Sequence, residues 1–362
     1  MKKIRFAVVG LNMGRNHCMV FHADERFELV AVCDIDPERV RWVQENVCAC
    51  KGYEDYETML REVGPEAVIV ATPTALHYEM VVQAVNAGAR GVYCEKPMTV
   101  DLETAEKMVA LCAEKDVALM VGHQRRVTPV YQEMKRLMKE GAIGKVYLIR
   151  AMCAGDFLSD GTHSVDSVRH FMDDQQPRWV MASMFRLPLG THVWGNNYFT
   201  GTRYGHSVES GAQVMIEFEN GVRAEILTGE LRLPHRGYQD IEIFGDKGRL
   251  WRAGDDAPQD ILLQDEQAGG FRTINVGRPE AERALDGGGH GANLMERLVV
   301  VDGFWRMIEE KVSHPMEGRN ALKTQEIVMA AYESVRVRNR VFFPLQQKHF
   351  ALDSLLQHGD MI

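Results

Sequence analysis

The first 125 residues alternate short apolar runs with helical patterns, and the connections between them are short. Buried strands are predicted at "IRFAVVG", "FELVAVCD", "EAVIVAT", "GVYCE" and "VALMVGH". Helices are predicted between them, as in "TALHYEMVVQAVNAG" and in "DLETAEKMVALCAEK", whose first aspartate can cap it. Strands that alternate with helices form a parallel sheet with helices on both faces. The sequence therefore predicts an α/β domain over residues 1–125.

The pattern changes after "YQEMKRLMKEGAIG". Short alternating or apolar runs follow, with Asn-Gly and Asp-Lys-Gly turns between them, which indicates a mainly antiparallel sheet. We expect an α+β domain over residues 126–345, its sheet covered by "NLMERLVVVDGFWRMIEEK" and "ALKTQEIVMAAYESVRVR". The tail, 346–362, carries Phe350, Leu352, Leu355 and Leu356, so we expect it to dock on a partner subunit or to fray. A chain of 362 residues exceeds what one core usually supports, which also favours two domains.

Charge and composition exclude several classes of partner. A net charge of −9 argues against nucleic acid and anionic membranes, and no apolar run approaches the ~18 residues of a membrane span. The start lacks a small-residue cleavage site, so we expect no signal peptide. Seven scattered cysteines without a Cys-x-x-Cys pair indicate reduced thiols in the cytoplasm and no zinc site. We also expect no catalytic metal, because no His-x-x-x-His or carboxylate cluster occurs.

The turn after the first strand, "VVGLNMGRNH", has the composition of a phosphate-binding loop. Gly10 matches the first glycine of G-x-G-x-x-G, and Asn12 replaces the second. Gly14, after Met13, stands one residue before the position of the third glycine. A tight structural turn explains the loop alone about as well. Asp34, however, closes the second strand 24 residues after Gly10, where a carboxylate can bind both ribose hydroxyls. The pair predicts a dinucleotide site; the alternative for Asp34 is a solvated loop acid.

Further residues are predicted to line the same crevice. Ile35 follows Asp34 with no adjacent Arg or Lys to accept a 2′-phosphate, which favours NAD over NADP as the cofactor. Thr72, Pro73 and His77, in "ATPTALH", end the next strand and open its helix. Their alternative is a plain Thr-Pro turn with a capped helix.

Charged residues and a proline end the strand "GVYCE". Glu95, Lys96 and Pro97 stand at the carboxyl edge of the predicted sheet, where ligands of such sheets bind. A partly buried lysine there can share or pass on a proton when a hydroxyl becomes a carbonyl, and Pro97 fixes its direction. The alternative is an exposed lysine at a strand end.

These motifs, with "GHQRRVTPVY", "DGTHSVD", "RYGHSVESGAQVMIEFENGV" and "IEIFGDKGRL", resemble in order the Gfo/Idh/MocA oxidoreductases over residues 4 to about 345. The resemblance implies a Rossmann-type domain followed by an open-faced, mainly antiparallel sheet that often mediates homo-oligomerisation, here as a dimer or tetramer. It implies that Lys96 reaches the nicotinamide ribose and the substrate hydroxyl, through a Lys–Pro bond that is commonly cis. Gln124 follows the fifth predicted strand, and the resemblance implies that residues at this position lie near the nicotinamide or the substrate.

A second constellation lies in "FLSDGTHSVDSVRHFM". We expect a helix from Gly161 or Thr162, capped by Ser159 or Asp160, with His163 opposite its apolar face. The helix N-terminus favours a neutral imidazole, as a general base requires. The alternative is a solvated histidine on a polar outer face.

By resemblance, His163 takes the place of the family's catalytic histidine. Asp166, one turn on, is expected to orient the ring, and His170 is taken as structural. The family usually has an aspartate four residues before the histidine. Ser159 stands there, and Asp160 is one residue nearer, so Asp160 is the candidate catalytic carboxylate.

Other polar residues are candidates for substrate binding. Arg126 follows Arg125 after the fifth strand, with salt bridges at a domain joint as the alternative. Asp156 ends a strand just before the helix. Tyr238 lies in a glycine-flanked loop, as do Trp194, Arg203, His206 and His290, and for each of these five residues a structural role is the favoured alternative.

The sequence thus predicts an NAD-dependent dehydrogenase that oxidises a ring hydroxyl of a sugar, glycoside or cyclitol. His163 and Lys96, from separate domains, are expected to meet over one nicotinamide ring. A glycoside oxidised at ring carbon 3 is a finer possibility. Two alternatives are a hydrolase or lyase that oxidises its substrate transiently with tightly held NAD, and a non-catalytic NAD-binding regulator.

Overall fold

The computed structural model describes residues 2–193, 197–229, 238–255, 260–265, 270–276 and 294–357. It divides into two compact units. The first unit comprises residues 1–124 and 293–322, and the second comprises 125–292 and 323–362. Among the described residues, no helix combines the length and apolar character needed to span a membrane.

The first unit is built on a six-stranded parallel sheet with strand order β3-β2-β1-β4-β5-β6. The strands are β1 (Ile4–Val9), β2 (Phe27–Cys33), β3 (Lys51–Tyr53), β4 (Ala67–Val70), β5 (Gly91–Cys94) and β6 (Ala118–Val121). The connecting helices are α1 (Leu11–His22), α2 (Pro37–Asn46), α3 (Tyr56–Val63), α4 (His77–Asn86) and α5 (Leu102–Glu114). This is the parallel sheet that the alternation of patterns predicts.

Local sequence signals explain where these elements begin and end. The central strands β4 and β5 are buried along their whole length, as expected for strands covered on both faces. Asp101 caps α5, accepting a hydrogen bond from the backbone N–H of Thr104 at 2.8 Å. Gly88, just past the end of α4, has a φ of +92°, which glycine adopts without strain.

Helix α8 (Leu294–Glu309) belongs to the first unit and does not cover the antiparallel sheet, contrary to the prediction. Phe304 is fully buried, and its ring centroid lies 5.9 Å from that of Phe21 and 6.4 Å from that of Phe27. The absence of a side chain at Gly91 admits the helix, because a Cβ there would lie 2.5 Å from Ile308. An amphipathic pattern shows that α8 has an apolar face but not which sheet will cover it.

The second unit contains a nine-stranded sheet with strand order β16-β15-β14-β13-β7-β12-β11-β8-β17. The strands are β7 (Val146–Cys153), β8 (Pro177–Phe185), β11 (Gly211–Phe218), β12 (Arg223–Gly229), β13 (Asp240–Gly245), β14 (Gly248–Arg252), β15 (Ile261–Gln264), β16 (Arg272–Ile274) and β17 (Val341–Phe342). A separate two-stranded ribbon joins β9 (Thr202–Arg203) to β10 (His206–Ser207). All neighbours in the large sheet pair antiparallel except β7 and β12, which are parallel.

The same unit contains the helices α6 (Pro129–Lys139), α7 (Thr162–Phe171), the later part of α9 (Gly318–Val337) and α10 (Ala351–Gln357). Helix α7 contacts β7 and β12 of the sheet. The tail was predicted to dock on a partner or fray, but its described part packs within its own unit. Phe350 is 6% exposed, and its ring centroid lies 4.8 Å from that of Tyr332. The apolar residues of the tail therefore complete the core of the second unit.

Candidate active site

The carboxyl ends of the strands in the first unit gather the residues predicted to bind a dinucleotide. Gly10 follows β1, Asp34 follows β2, Thr72 follows β4, Glu95 follows β5, and Gln124 follows β6. Because the strands are parallel, these ends lie along one edge of the sheet. In doubly wound sheets this edge is where nucleotides bind.

The glycine loop allows a close approach of backbone segments. Gly10 has a φ of +84°, and a Cβ there would lie 2.5 Å from the carbonyl oxygen of Ala71. A Cβ on Gly14 would lie 2.8 Å from the side chain of Val8, which is closer than van der Waals contact allows. The absence of a side chain at Gly14 therefore lets α1 pack closely on β1. Asn12 and Met13 are exposed in the first turn of α1. The loop thus leaves the N-terminus of α1 open to an anion.

Asp34 is 6% exposed, so the solvated loop acid considered from the sequence is wrong. Its Oδ2 accepts a hydrogen bond from the backbone N–H of Leu11 at 2.6 Å, and its Oδ1 accepts one from Asp36 at 2.9 Å. The carboxylate therefore ties the end of β2 to the glycine loop. Ile35 is 89% exposed beside it.

Arg39 also lies at this edge of the sheet and was not predicted from the sequence as a site residue. Its guanidinium lies 3.5 Å from Asp34 Oδ2 and 3.3 Å from Asp36 Oδ2. The sequence contains a signal for it, because a basic residue follows Asp36, the cap of α2, by about one helical turn. The prediction considered only residues immediately beside Asp34. Both contacts are to carboxylates, which compete with a phosphate for this cation.

Two buried polar atoms at this edge find no hydrogen-bond partner among the described residues. They are the hydroxyl oxygen of Thr72 and the side-chain carbonyl oxygen of Gln124. Buried polar groups are almost always satisfied, so such atoms mark places where a ligand or water completes the structure. Pro73, beside Thr72, is exposed.

His77 does not present a free ring to the crevice, which corrects its prediction as a cofactor contact. The residue is 1% exposed, and its ring nitrogens lie 2.9 Å from the carbonyl oxygen of Pro97 and 2.8 Å from that of Thr72. His77 instead links the segment after β4 to the segment after β5.

The segment after β5 is also held by His17, which was not predicted from the sequence as a site residue. His17 Nε2, on α1, lies 2.7 Å from Glu95 Oε1, and Glu95 Oε2 accepts a hydrogen bond from the backbone N–H of Lys96 at 3.1 Å. Burial would raise the pKa of Glu95, but His17 and the charge of Lys96 lower it to about 2. Glu95 is therefore an anion that fixes the backbone of Lys96. The Lys96–Pro97 bond is cis, as the resemblance implied.

These features fit a bound dinucleotide. The close-packed Gly10 loop and the start of α1 suit the pyrophosphate, Asp34 suits the adenosine ribose, and the unsatisfied oxygens of Thr72 and Gln124 suit the nicotinamide end.

In the second unit, His163 occupies the first turn of α7 and is 4% exposed. Every residue of α7 is buried, so a solvated histidine on an outer polar face is wrong. The prediction that Ser159 or Asp160 caps the helix is also wrong. A five-residue π-helical turn, Phe157–Gly161, precedes α7, and Asp156 caps that turn by accepting a hydrogen bond from Ser159 N–H at 2.7 Å. Asp156 thus has a structural task besides its predicted contact with substrate.

Asp160 lies in that turn, and its carboxylate is held at both oxygens. Tyr238 donates its hydroxyl to Oδ1 at 2.7 Å, and Arg203 donates to Oδ2 at 2.5 Å. Burial and the charge of Asp160 raise the pKa of Tyr238 well above its ordinary value, so its hydroxyl stays a donor. Three of the predicted candidates, Asp160, Tyr238 and Arg203, therefore form one cluster. Arg203 also reaches Asp156 Oδ2 at 3.2 Å.

Arg126 is not available to a substrate, which corrects its prediction as a binding residue. Its side chain is 1% exposed and donates to Asp166 at 2.6 and 2.8 Å and to Asp174 at 3.1 Å. Arg126 therefore has the role given as its alternative, a salt bridge. Asp166 also accepts a hydrogen bond from Thr324 at 3.0 Å, and its role in orienting His163 stays a prediction.

The remaining candidates divide between structural contacts and undescribed positions. Arg125 makes two hydrogen bonds to Asp255, at 2.6 and 2.7 Å. His206 Nε2 lies 3.2 Å from the hydroxyl of Ser159. Trp194 and His290 lie outside the described residues. Within the described ranges, no group of three or more His, Cys, Asp or Glu side chains has a metal-binding arrangement.

The first unit combines a parallel α/β sheet with a glycine loop at Gly10 and an acid, Asp34, at the carboxyl edge of the sheet, and a largely antiparallel sheet follows. These features are typical of nicotinamide-dependent oxidoreductases with a Rossmann-type domain. Two family models match the chain. One, the oxidoreductase family with NAD-binding Rossmann fold, covers residues 4–123, and the other, the Gfo/Idh/MocA C-terminal domain, covers residues 131–251. The chain belongs to the Gfo/Idh/MocA family, and its cofactor is NAD.

Relatives and solved structures agree with this assignment. The chain is 33% identical over 260 residues to scyllo-inositol 2-dehydrogenase (NAD(+)) of Bacillus subtilis, covering 69% of this chain and 73% of the relative. It is 24% identical over 266 residues to D-glucoside 3-dehydrogenase of Escherichia coli, covering 67% and 75%. The crystal structure of an oxidoreductase from Agrobacterium radiobacter with NAD+, L-tartaric acid and magnesium has the same fold, with a TM-score of 0.75, 19% identity and coverage of 94% and 98%.

Proposed function

We propose that this protein is an NAD-dependent dehydrogenase that oxidises a ring hydroxyl of a sugar, glycoside or cyclitol to a ketone. The observation that carries the proposal is the segment Glu95–Lys96–Pro97 at the carboxyl edge of a dinucleotide-binding sheet. Its backbone is fixed by His17 through Glu95 and by His77 through Pro97. A backbone fixed in this way supports a role for Lys96 at the reacting end of the cofactor.

NAD, when bound, accepts the hydride from the carbon that carries the hydroxyl. In our proposal His163 takes the hydroxyl proton as general base. His163 is 4% exposed in α7, and a largely buried imidazole can accept the proton of a bound hydroxyl with little competition from bulk water.

We assign Lys96 the second role in the reaction. As the hydroxyl loses its proton, negative charge grows on the oxygen, and an ammonium group close by stabilises it. Glu95, held by His17 and by the backbone N–H of Lys96, carries a negative charge that interacts with the charge of Lys96.

The cluster of Asp160, Tyr238 and Arg203 is our candidate for recognition of further hydroxyls. A carboxylate with a fixed direction accepts hydrogen bonds from a polyol, the arginine beside it can donate them, and the oxygen of Tyr238 can accept one, since its proton is donated to Asp160. With Asp156 the group holds two carboxylates and one guanidinium, a net charge of −1, which disfavours an anionic substrate and suits an uncharged polyhydroxylated ring. The names of the inositol and glucoside dehydrogenase relatives agree with that class. A glycoside oxidised at carbon 3 is the finer proposal.

The test is a panel of sugars, inositols and glycosides, with formation of reduced nicotinamide as the readout. On a confirmed substrate, Lys96→Met and His163→Asn are expected to lower kcat by about 100-fold or more. The matched controls are Lys107→Met, at an exposed helix ion pair, and His170→Asn, two turns along the same helix as His163.

Turnover of both site variants at the wild-type rate would end the assignment of these roles. Release of an aglycone without net reduced cofactor would identify the transient-oxidation cycle of a hydrolase or lyase instead. NAD binding without turnover of any compound would favour a regulator.

We also propose that the protein is cytoplasmic and forms a dimer or tetramer through the open face of the nine-stranded sheet. Met215 on β11 and Met181 on β8 are directly opposite each other in register, and they are 37% and 48% exposed. Adjacent apolar side chains on an exposed sheet face favour burial against another chain.

A further inference from the structure

The π-helical turn before α7, Phe157–Gly161, is held by side chains that have no place in the chemistry proposed above. Such turns are rare and concentrate at functional sites. Their N-terminal backbone N–H groups lack partners within the turn and must be satisfied from elsewhere. Phe157 N–H donates to Glu209 Oε1 at 2.5 Å, and Leu158 N–H donates to the hydroxyl oxygen of Tyr332 at 3.1 Å.

Glu209 and Tyr332 also bond to each other. The tyrosine donates its hydroxyl to Glu209 Oε2 at 2.8 Å. Glu209 is 2% exposed and Tyr332 is fully buried, between the rings of Phe157 and Phe350. The two residues come from the segment before β11 and from α9, so this chain of hydrogen bonds joins three parts of the second unit.

The turn carries the groups that the proposed function uses. Asp160 is its fourth residue, and His163 lies two residues beyond its end. Tyr238 and Arg203 fix the side chain of Asp160, whereas Glu209 and Tyr332 fix the backbone at the start of the turn. A shift of the turn would move both groups, and displacements of about 1 Å can cost about 100-fold in rate.

We infer that Glu209 and Tyr332 are positioning residues that hold the π-helical turn in place and thereby set the positions of Asp160 and His163. This inference rests on the proposed function. Neither residue touches the reacting atoms; both act through the backbone of the turn.

The protonation state of Glu209 matters to this arrangement. Burial and the charge of Asp156 raise the pKa of Glu209 to about 7, against hydrogen bonds from Phe157 N–H and Tyr332 that lower it. Three titratable groups lie near Glu209. Tyr332 donates to it, Asp156 is paired with Arg203, and His206 is hydrogen-bonded to Ser159 of the turn. The ionised carboxylate accepts from both Phe157 and Tyr332. A proton on either oxygen competes with one of these two hydrogen bonds.

The experiment compares Glu209→Gln and Tyr332→Phe with wild-type enzyme, using NAD and a substrate found in the panel. Glu217→Gln, at the other end of β11, and Tyr147→Phe, at an exposed ring, are the matched controls. We expect both test variants to lower kcat about tenfold to a hundredfold with little change in KM. We also expect Glu209→Gln to remove an ionisation near neutral pH from the kcat profile.

A second readout needs no activity. Because the folded-state pKa of Glu209 lies above its ordinary value of 4.5, the stability it contributes is full below that value and is lost as pH rises through about 7. Glu209→Gln has no such loss, so its melting temperature relative to wild type should rise between about pH 5 and pH 8.

A kcat and a pH profile within about twofold of wild type in both test variants would overturn the inference, even if their melting temperatures fell. Their role would then be structural only. If the wild-type enzyme turns over no compound of the panel, the proposed function fails, and this inference falls with it.

Discussion

Gly10 shows at the residue scale why the glycine loop tolerates so little change. The residue combines a positive φ with a backbone neighbour, the Ala71 carbonyl oxygen, that cannot move out of the way of a side chain. Gly64, at the end of α3, also has a positive φ of +54°, but a Cβ there would meet nothing within 4 Å. An alanine at Gly64 would therefore suffer backbone strain alone, whereas an alanine at Gly10 would suffer backbone strain and a steric clash.

We predict that Gly64→Ala costs about 1 kcal/mol of stability and leaves NAD binding unchanged. Gly10→Ala should cost about 2 kcal/mol or more and weaken NAD binding at least about tenfold, because the loop must open to accept the methyl group. Urea unfolding and calorimetric titration with NAD measure the two effects. Equal losses in the two variants would show that strain alone matters at Gly10.

His170 gives a pH-dependent prediction. Burial and the charges of Lys135 and Arg126 lower its pKa to about 4, so it is neutral in the folded protein while an unfolded histidine takes up a proton below about pH 6.5. Its contribution to stability is thus lost as pH falls from about 6.5 toward 4. Between about pH 7 and pH 5, the free energy of unfolding should fall by about 2 kcal/mol less in His170→Asn than in wild type. Parallel losses in both proteins would contradict this.

At the scale of elements, the assignment of α8 to the first unit has a direct test. Phe304 fills a cluster with Phe21, Phe27 and Tyr93. Phe304→Ala should lower the free energy of unfolding by about 3–5 kcal/mol, since it leaves a cavity in that core. Phe342→Ala, at a ring that is 58% exposed on β17, should change it by less than about 1 kcal/mol. Similar small losses in both would mean that α8 adds little to the first unit.

The π-helical turn illustrates what a periodic pattern misses. The apolar face expected in "FLSDGTHSVDSVRHFM" predicted a helix from Gly161 or Thr162, and α7 begins at Thr162. The apolar pattern did not predict the preceding turn, because that turn depends on Glu209 and Tyr332, which are distant in sequence. The mistaken outer face of α7 has the same origin: polar residues look solvent-exposed until their buried partners are known.

At the scale of the whole molecule, the exposed face of the nine-stranded sheet carries a row of side chains in register. Met181, Met215, Glu225 and Arg150 lie opposite one another on β8, β11, β12 and β7, and Arg150 pairs with Glu225 at 2.8 Å. If this face joins subunits, Met215→Glu should give a smaller assembly by light scattering, because a charge would be buried.

Val312→Glu, at an exposed position of the first unit, is the control for that substitution and should keep the wild-type mass. A monomeric wild-type protein, or an unchanged mass for Met215→Glu, would contradict the assembly through this face.

Features that depend on neighbours along the chain could be predicted from the amino-acid sequence. Strand and helix periods, the glycine loop, Asp34 at the end of β2 and Lys96 at the end of β5 all follow from local patterns and from the rule that parallel strands share a carboxyl edge. Three features could not be predicted in this way: α8 lies in the first unit, Arg126 forms a buried ion pair, and His17 and His77 hold the segment that contains Lys96. Burial and hydrogen bonding between distant residues set those roles, and neither is a property of a short stretch of sequence.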